Sequence, residues 1–123
     1  MISIEEAGEM LDEIAEELPQ EFYKDLNGGI LLLPDVKTHP EPDDYLYILG
    51  AYHNSVGMGK YIVIYYGSFE RVYGFLSAEQ LKEQLRKTLL HEFTHHLEGL
   101  AGKRGLEKKD EERMERYRRR FRK

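Results

Sequence analysis

The chain of 123 residues has no cysteine. That absence excludes a disulfide scaffold, a thiol nucleophile and any cysteine-bound zinc or iron–sulfur site. Long hydrophobic runs are also missing: no stretch of about 18 apolar residues occurs, the length a membrane-spanning helix needs. Basic residues are scarce at the N-terminus. Met1 to Glu17 is acidic and amphipathic, which is the wrong chemistry for a signal or transit peptide. These absences together lead to the expectation of a cytoplasmic protein without membrane contact. The length fits one domain over residues 1–123, enough chain for a modest core without staples.

The net charge of −5 conceals an asymmetry. Residues 103–123 carry 11 of the 18 Lys+Arg and 5 of the 23 Asp+Glu, a net of +6, which leaves −11 on residues 1–102. A basic tail on an acidic body is able to meet nucleic acid, but the tail's acids fall at helical spacing and the body repels phosphates. The tail is therefore read as a charged helix with a solvated face, and no nucleic-acid partner is expected.

Ser3 and Glu6 have the spacing of a capping box. Behind them Ile4, Ala7, Met10 or Leu11, Ile14 and Leu18 recur at helical intervals up to Pro19. A further short helical turn is expected over residues 20–26, stopped by Asn27-Gly28-Gly29. Ile30 to Leu33 reads as a short strand and the proline-rich stretch 34–44 as a loop. Tyr45 to Tyr52 and Tyr61 to Tyr66 are aromatic and β-branched, with His53 to Lys60 as the hairpin loop between them. Gly67 and Ser68 break the second strand, ahead of a short helical or irregular link over 69–75. Ser77 with Gln80 caps the strongest helix, expected from Ala78 to about Leu100. A turn at Ala101–Gly105 then leads into the charged final helix. The fold class expected is α+β: a small mixed or antiparallel sheet packed on an N-terminal helix and a long helix, closed by the C-terminal helix.

The chemistry lies in that long helix, at His91-Glu92-Phe93-Thr94-His95. Histidines four apart project from one helix face about a turn apart, the spacing at which two imidazoles share one zinc ion. Glu92 sits about 100° around the helix, beside such a metal, where a carboxylate serves as general base and then acid. With His91 at zero on a wheel of about 100° per residue, Leu85, Leu89, Leu90, Phe93, Leu97 and Leu100 share the opposite arc. The histidine pair therefore belongs to a polar stripe opposite the core, together with Gln84, Thr88 and Glu98. His96 falls in the apolar arc and is read as a structural histidine bonded to a backbone carbonyl or a tyrosine. His53 is assigned to the hairpin loop, and His39 receives no role.

A catalytic zinc site usually has three protein ligands. In the absence of cysteine the third is sought among carboxylates: Asp110 first, then Glu107, both brought back by the turn at 101–105, and Glu98 third, alternatively a partner that orients His95. Tyr65, Tyr66 and Tyr117 are candidates by residue type for stabilising an oxyanion.

At these residues the chain resembles the zincin-type metallopeptidases, in particular the minimal single-domain group of bacteria called mini-zincins. The resemblance rests on His91-Glu92-x-x-His95-His96 and the preceding order of helix, strands and long helix. It extends to the Asn27-Gly28-Gly29 turn, the Tyr65-Tyr66-Gly67-Ser68-Phe69 stretch and the His96-Leu97-Glu98 run. It implies an α+β sandwich with the motif helix under a small mixed sheet, zinc on His91 and His95, and Glu92 as the catalytic residue. Some small zincins carry Gly seven and Asp ten residues after the first histidine. Here those positions hold Glu98 and Ala101, so the resemblance leaves the third ligand open. The expected function is zinc-dependent hydrolysis of a peptide bond in a peptide or flexible protein segment, with Tyr61–Tyr66 receiving an extended substrate if it is a sheet edge. The alternative is a non-catalytic zincin-like module for metal binding or protein interaction.

Overall fold

The structure, a computed structural model, describes residues 2–104. Helix α1 spans Ile4–Glu17, strand β1 Gly29–Leu33, β2 Gly50–Ser55, β3 Gly59–Tyr65, helix α2 Tyr66–Tyr73 and α3 Ala78–Arg104. A 3-10 turn at Gln20–Tyr23 follows α1. The capping box is present: the Ser3 hydroxyl accepts from the Glu6 N–H, and the Glu6 carboxylate accepts from the Ser3 N–H. Ser77 and Gln80 make the same reciprocal pair ahead of α3. Both helix starts follow from local chemistry alone, since each satisfies orphan backbone donors.

The three strands form one mixed sheet in the order β1-β3-β2. β2 and β3 are an antiparallel hairpin, with Gly50 opposite Ile64 and Ser55 opposite Gly59. β1 adds parallel to β3, with Gly29 opposite Tyr61 and Leu33 opposite Tyr65. Helix α3 packs across β2 and β3 and carries α1 on its flank. The core lies between these layers, built on Ile14 of α1, Ile62 and Ile64 of β3, and Leu81, Leu85, Leu89 and Phe93 of α3. All six residues placed on the apolar arc of the long helix are buried.

Several expectations from the sequence are corrected. The strand expected over Tyr45–Tyr52 begins at Gly50 and runs on to Ser55, so His53 lies within β2 and not in the hairpin loop. Residues 45–49 instead join a long loop that folds on itself, with Thr38 bridged to Tyr47. Short loop-to-loop pairing there satisfies backbone groups that a sheet strand would otherwise have to pair. β3 occupies the centre of the sheet and is no edge, so the edge beside the long helix belongs to β2. Tyr66, expected at the end of a strand, begins α2. The turn placed at 101–105 is overrun by α3, which continues to Arg104, because Gly102 alone costs only about 1 kcal/mol within a helix. Glu107, Asp110, Tyr117 and the C-terminal helix lie outside the described residues.

Two polar ties bind α1 to α3. Lys82 Nζ meets Glu13 at 2.7 Å. Arg86, 9 % exposed, donates from Nε and Nη2 to the Glu17 carboxylate at 3.1 and 3.0 Å, and from Nη1 to Glu83 at 2.6 Å. A planar fork on one carboxylate gives direction as well as energy. Lysine cannot reproduce it. Arg86→Lys is expected to lower unfolding free energy by about 1–3 kcal/mol, read from urea denaturation at pH 7. The exposed pair broken by Lys82→Ala should cost under about 1 kcal/mol.

Candidate functional site

The polar stripe of α3 faces a cleft of about 480 Å3. Its helix side is Lys87, Thr88, His91, Glu92 and His95, and its opposite wall is His39, Tyr47, Ile48, Leu49 and Gly50. The two walls meet at Gly50. A methyl group on this glycine would stand 3.0 Å from Thr88 Cγ2, 3.2 Å from the Val63 carbonyl oxygen and 3.3 Å from Glu92 Cγ. Only glycine lets the helix lie this close to the edge strand without displacing its neighbours.

His91 and His95 are exposed, and their Nε2 atoms converge to 3.2 Å. Two nitrogens bound to a tetrahedral ion at roughly 2.0–2.1 Å stand about 3.3 Å apart, so the pair already has the separation of two ligands of one metal. Glu92 follows His91 in sequence but is 6 % exposed, tucked between the helix and Gly50. Burial pushes its carboxyl above the usual range, while the nearby His91, His95 and His53 imidazoles pull it back down. A carboxyl held between these opposing influences is suited to moving a proton in both directions.

Behind the cleft His96 is fully buried. Its Nε2–H donates to the Lys24 carbonyl at 2.7 Å, and its Nδ1 accepts from the Tyr52 hydroxyl at 2.8 Å. Both partners named as alternatives from the sequence are thus engaged at once. The two bonds select one neutral tautomer and lock the ring, which fixes the rotation of α3 relative to β2. Desolvation first, against the Lys24 hydrogen bond, lowers its pKa.

The opposite wall is held by residues that motif reading passed over. Loop residues 37–39 and 46–48 pair through His39 N–H to Leu46 O at 3.0 Å and Ile48 N–H to Lys37 O at 2.8 Å. Ser68, fully buried, accepts from the Lys37 N–H at 2.9 Å and donates to the Lys37 carbonyl at 3.0 Å. Gly67 beside it passes so close to the loop that a methyl group would stand 2.5 Å from the Pro34 carbonyl oxygen. Gly67-Ser68 is therefore an anchor for the cleft wall rather than merely a strand break. His39, left without a role by the sequence, lines the cleft; its only signal was its place in the loop that closes on the motif.

Other candidates are not brought to the site. Glu98 is exposed further along α3, and among the described residues no third histidine or acid joins the His91–His95 pair. The helix continues unbroken through this position, so a residue two turns from His91 cannot curl back to share its ion. Tyr66 is 2 % exposed and its hydroxyl donates to the Ile2 carbonyl, and Tyr65 is absent from the cleft lining. Among the described residues Tyr47 is the tyrosine that lines it.

A family model described as zincin-like metallopeptidase matches residues 36–118, which includes the cleft wall and the whole motif helix. The chain belongs to this zincin-like metallopeptidase family. A solved structure, titled a conserved hypothetical protein from Thermo thermophilus, is similar to it at 32 % identity and a TM-score of 0.69. That likeness covers 82 % of this chain and 99 % of the other. No curated protein matches the chain. The zincin-like α+β fold is thus shared, with the motif helix under a mixed three-stranded sheet.

Because the folded state favours the neutral His96 ring more strongly than the unfolded chain does, its contribution to stability is full above the unfolded pKa of about 6.5 and is lost as pH falls through the lowered folded value. An NMR titration is expected to show the His96 ring protonating below the ordinary histidine value of about 6.5. Tyr52→Phe should cost about 1 kcal/mol at pH 7 by thermal or urea unfolding.

Proposed function

We propose that the protein is a zinc-dependent peptidase with His91 and His95 as two of the metal ligands and Glu92 as the general base. The observation that carries this reading is the 3.2 Å convergence of the two Nε2 atoms on a cleft floor beside a buried carboxyl. The donor set fits the metal: neutral imidazoles suit zinc, and cysteine is not required. When bound, zinc supplies a Lewis acid that polarises a carbonyl and lowers the pKa of water. Glu92 takes a proton from the attacking water and delivers it to the departing amine. Its raised pKa favours the first of these transfers, and the flanking imidazoles, which pull the pKa back down, favour the second. The third ligand belongs to a carboxylate outside the described residues, with Asp110 preferred over Glu107.

The substrate is an extended peptide. Leu49 O accepts from Tyr65 N–H, so the alternating antiparallel ladder turns the backbone groups of Gly50, Tyr52 and Asn54 away from β3. Among the described residues this outer edge of β2 carries no partner strand. A peptide segment laid along it runs past His91, Glu92 and His95. The cleft's other wall, Tyr47 to Leu49, offers an apolar surface for a substrate side chain.

Metal analysis of protein purified with zinc present is expected to give one zinc per chain, lost in His91→Ala and His95→Ala and reduced in Asp110→Ala. Glu92→Gln should keep its zinc and lose hydrolysis of a peptide library by about 10²- to 10⁴-fold. Zinc bound with no cleavage by the wild type would move the protein to the alternative of a metal-binding module.

A further inference from the structure

Lys87 stands apart from the other cations of the body. Residues 1–102 hold only seven Lys+Arg against 18 Asp+Glu. Lys82 and Arg86 are spent on ties to α1. Lys87 lines the cleft and makes no ion pair among the described residues. It lies four residues before His91 and eight before His95, on the same stripe and about 6 Å further along the helix axis from His91. A cation facing a cleft on an otherwise acidic surface selects for negative charge in whatever enters.

The direction of the sheet says which part of a peptide this is. Gly50 of β2 touches Thr88 and Glu92 of α3, and Tyr52, two residues on, is bonded to His96. β2 therefore advances along α3 in the same sense as the helix. A strand added antiparallel to β2, the commoner and stronger pairing, runs the other way, with its C-terminal residues towards Lys87. The scissile bond lies between the two histidines, about 9 Å along the helix axis from Lys87, which at about 3.3 Å per residue corresponds to about two to three residues of extended chain.

Resting on the peptidase reading above, we propose that Lys87 is a specificity residue that holds a carboxylate of the substrate about two to three residues to the C-terminal side of the scissile bond. That carboxylate is either an Asp or Glu side chain or the free C-terminus of a short peptide. Tyr47, Ile48 and Leu49 face the same cleft and take an apolar side chain from the intervening chain.

The test uses the full chain loaded with zinc and a mixture of random-sequence decapeptides, with cleavage sites read by mass spectrometry. Wild type is expected to enrich Asp or Glu, or the chain end, about two to three positions after the cut. Lys87→Gln should lower kcat/KM on the preferred peptides about 10- to 100-fold, mostly through KM, and flatten that preference. Lys87→Glu should turn it towards Lys and Arg. For a preferred peptide, loss of cleavage on C-terminal amidation assigns the chain end, whereas loss on Glu→Gln substitution assigns the side chain. If wild type cleaves peptides and both Lys87 variants keep its profile, the proposal is overturned and the peptidase reading stands. If zinc-loaded wild type cleaves nothing, both fall. Circular dichroism and zinc content matching wild type separate these outcomes from misfolding.

Discussion

Helix α3 lies so close to the edge strand that a single methyl group at Gly50 would press on Thr88, on the Val63 carbonyl and on Glu92 together. The rest of the molecule is arranged around keeping that approach. Buried Leu85, Leu89 and Phe93 hold one side of the helix on the core, and the neutral His96 ring, bonded to Tyr52 and Lys24, sets its rotation. With distance and rotation both set, the opposite stripe has one orientation, and it is the one that opens His91, Glu92 and His95 to the cleft. The Arg86 fork to Glu17 then ties α1 to the same helix, so that the motif rides on an element held from two directions.

The same arrangement divides the motif's own residues by environment. His91 and His95 are exposed and converge, as metal ligands must, whereas Glu92 is drawn into the join between helix and strand. Burial raises the carboxyl's pKa and three imidazoles oppose that rise, which sets two competing effects on one proton. Neighbours in sequence thus acquire different tasks because a helix turns about 100° per residue and only some of those directions face solvent.

Opposite the helix, the cleft wall is a loop rather than a strand, and it depends on a short polar anchor. Ser68 engages both backbone groups of Lys37, and the absence of a side chain at Gly67 lets α2 approach the loop backbone. From that anchor the paired segments 37–39 and 46–48 present His39 and Tyr47 across from the histidine pair. A loop held at its root allows a small body to build a two-sided cleft without a further domain.

Much of this was legible in the residues themselves. Both capping boxes, the apolar arc of α3, the polar stripe with the histidine pair and the burial of His96 rest on interactions three or four residues apart, and such interactions are encoded locally. Tertiary structure decided what depends on partners distant in the chain. β3 became the central strand because β1 adds to it across a gap of more than 25 residues, a pairing that leaves no local mark. Residues 45–49 have strand-like side chains yet became loop, since their backbone pairs with the residues near Thr38 and not with the sheet. The value of Gly50, Gly67 and Ser68 is likewise set by contacts with residues at least a dozen positions away. Local periodicity placed two histidines and a glutamate on one helix; only the packing of that helix against an edge strand and a loop made a cleft in which Lys87 and His39 face the same space.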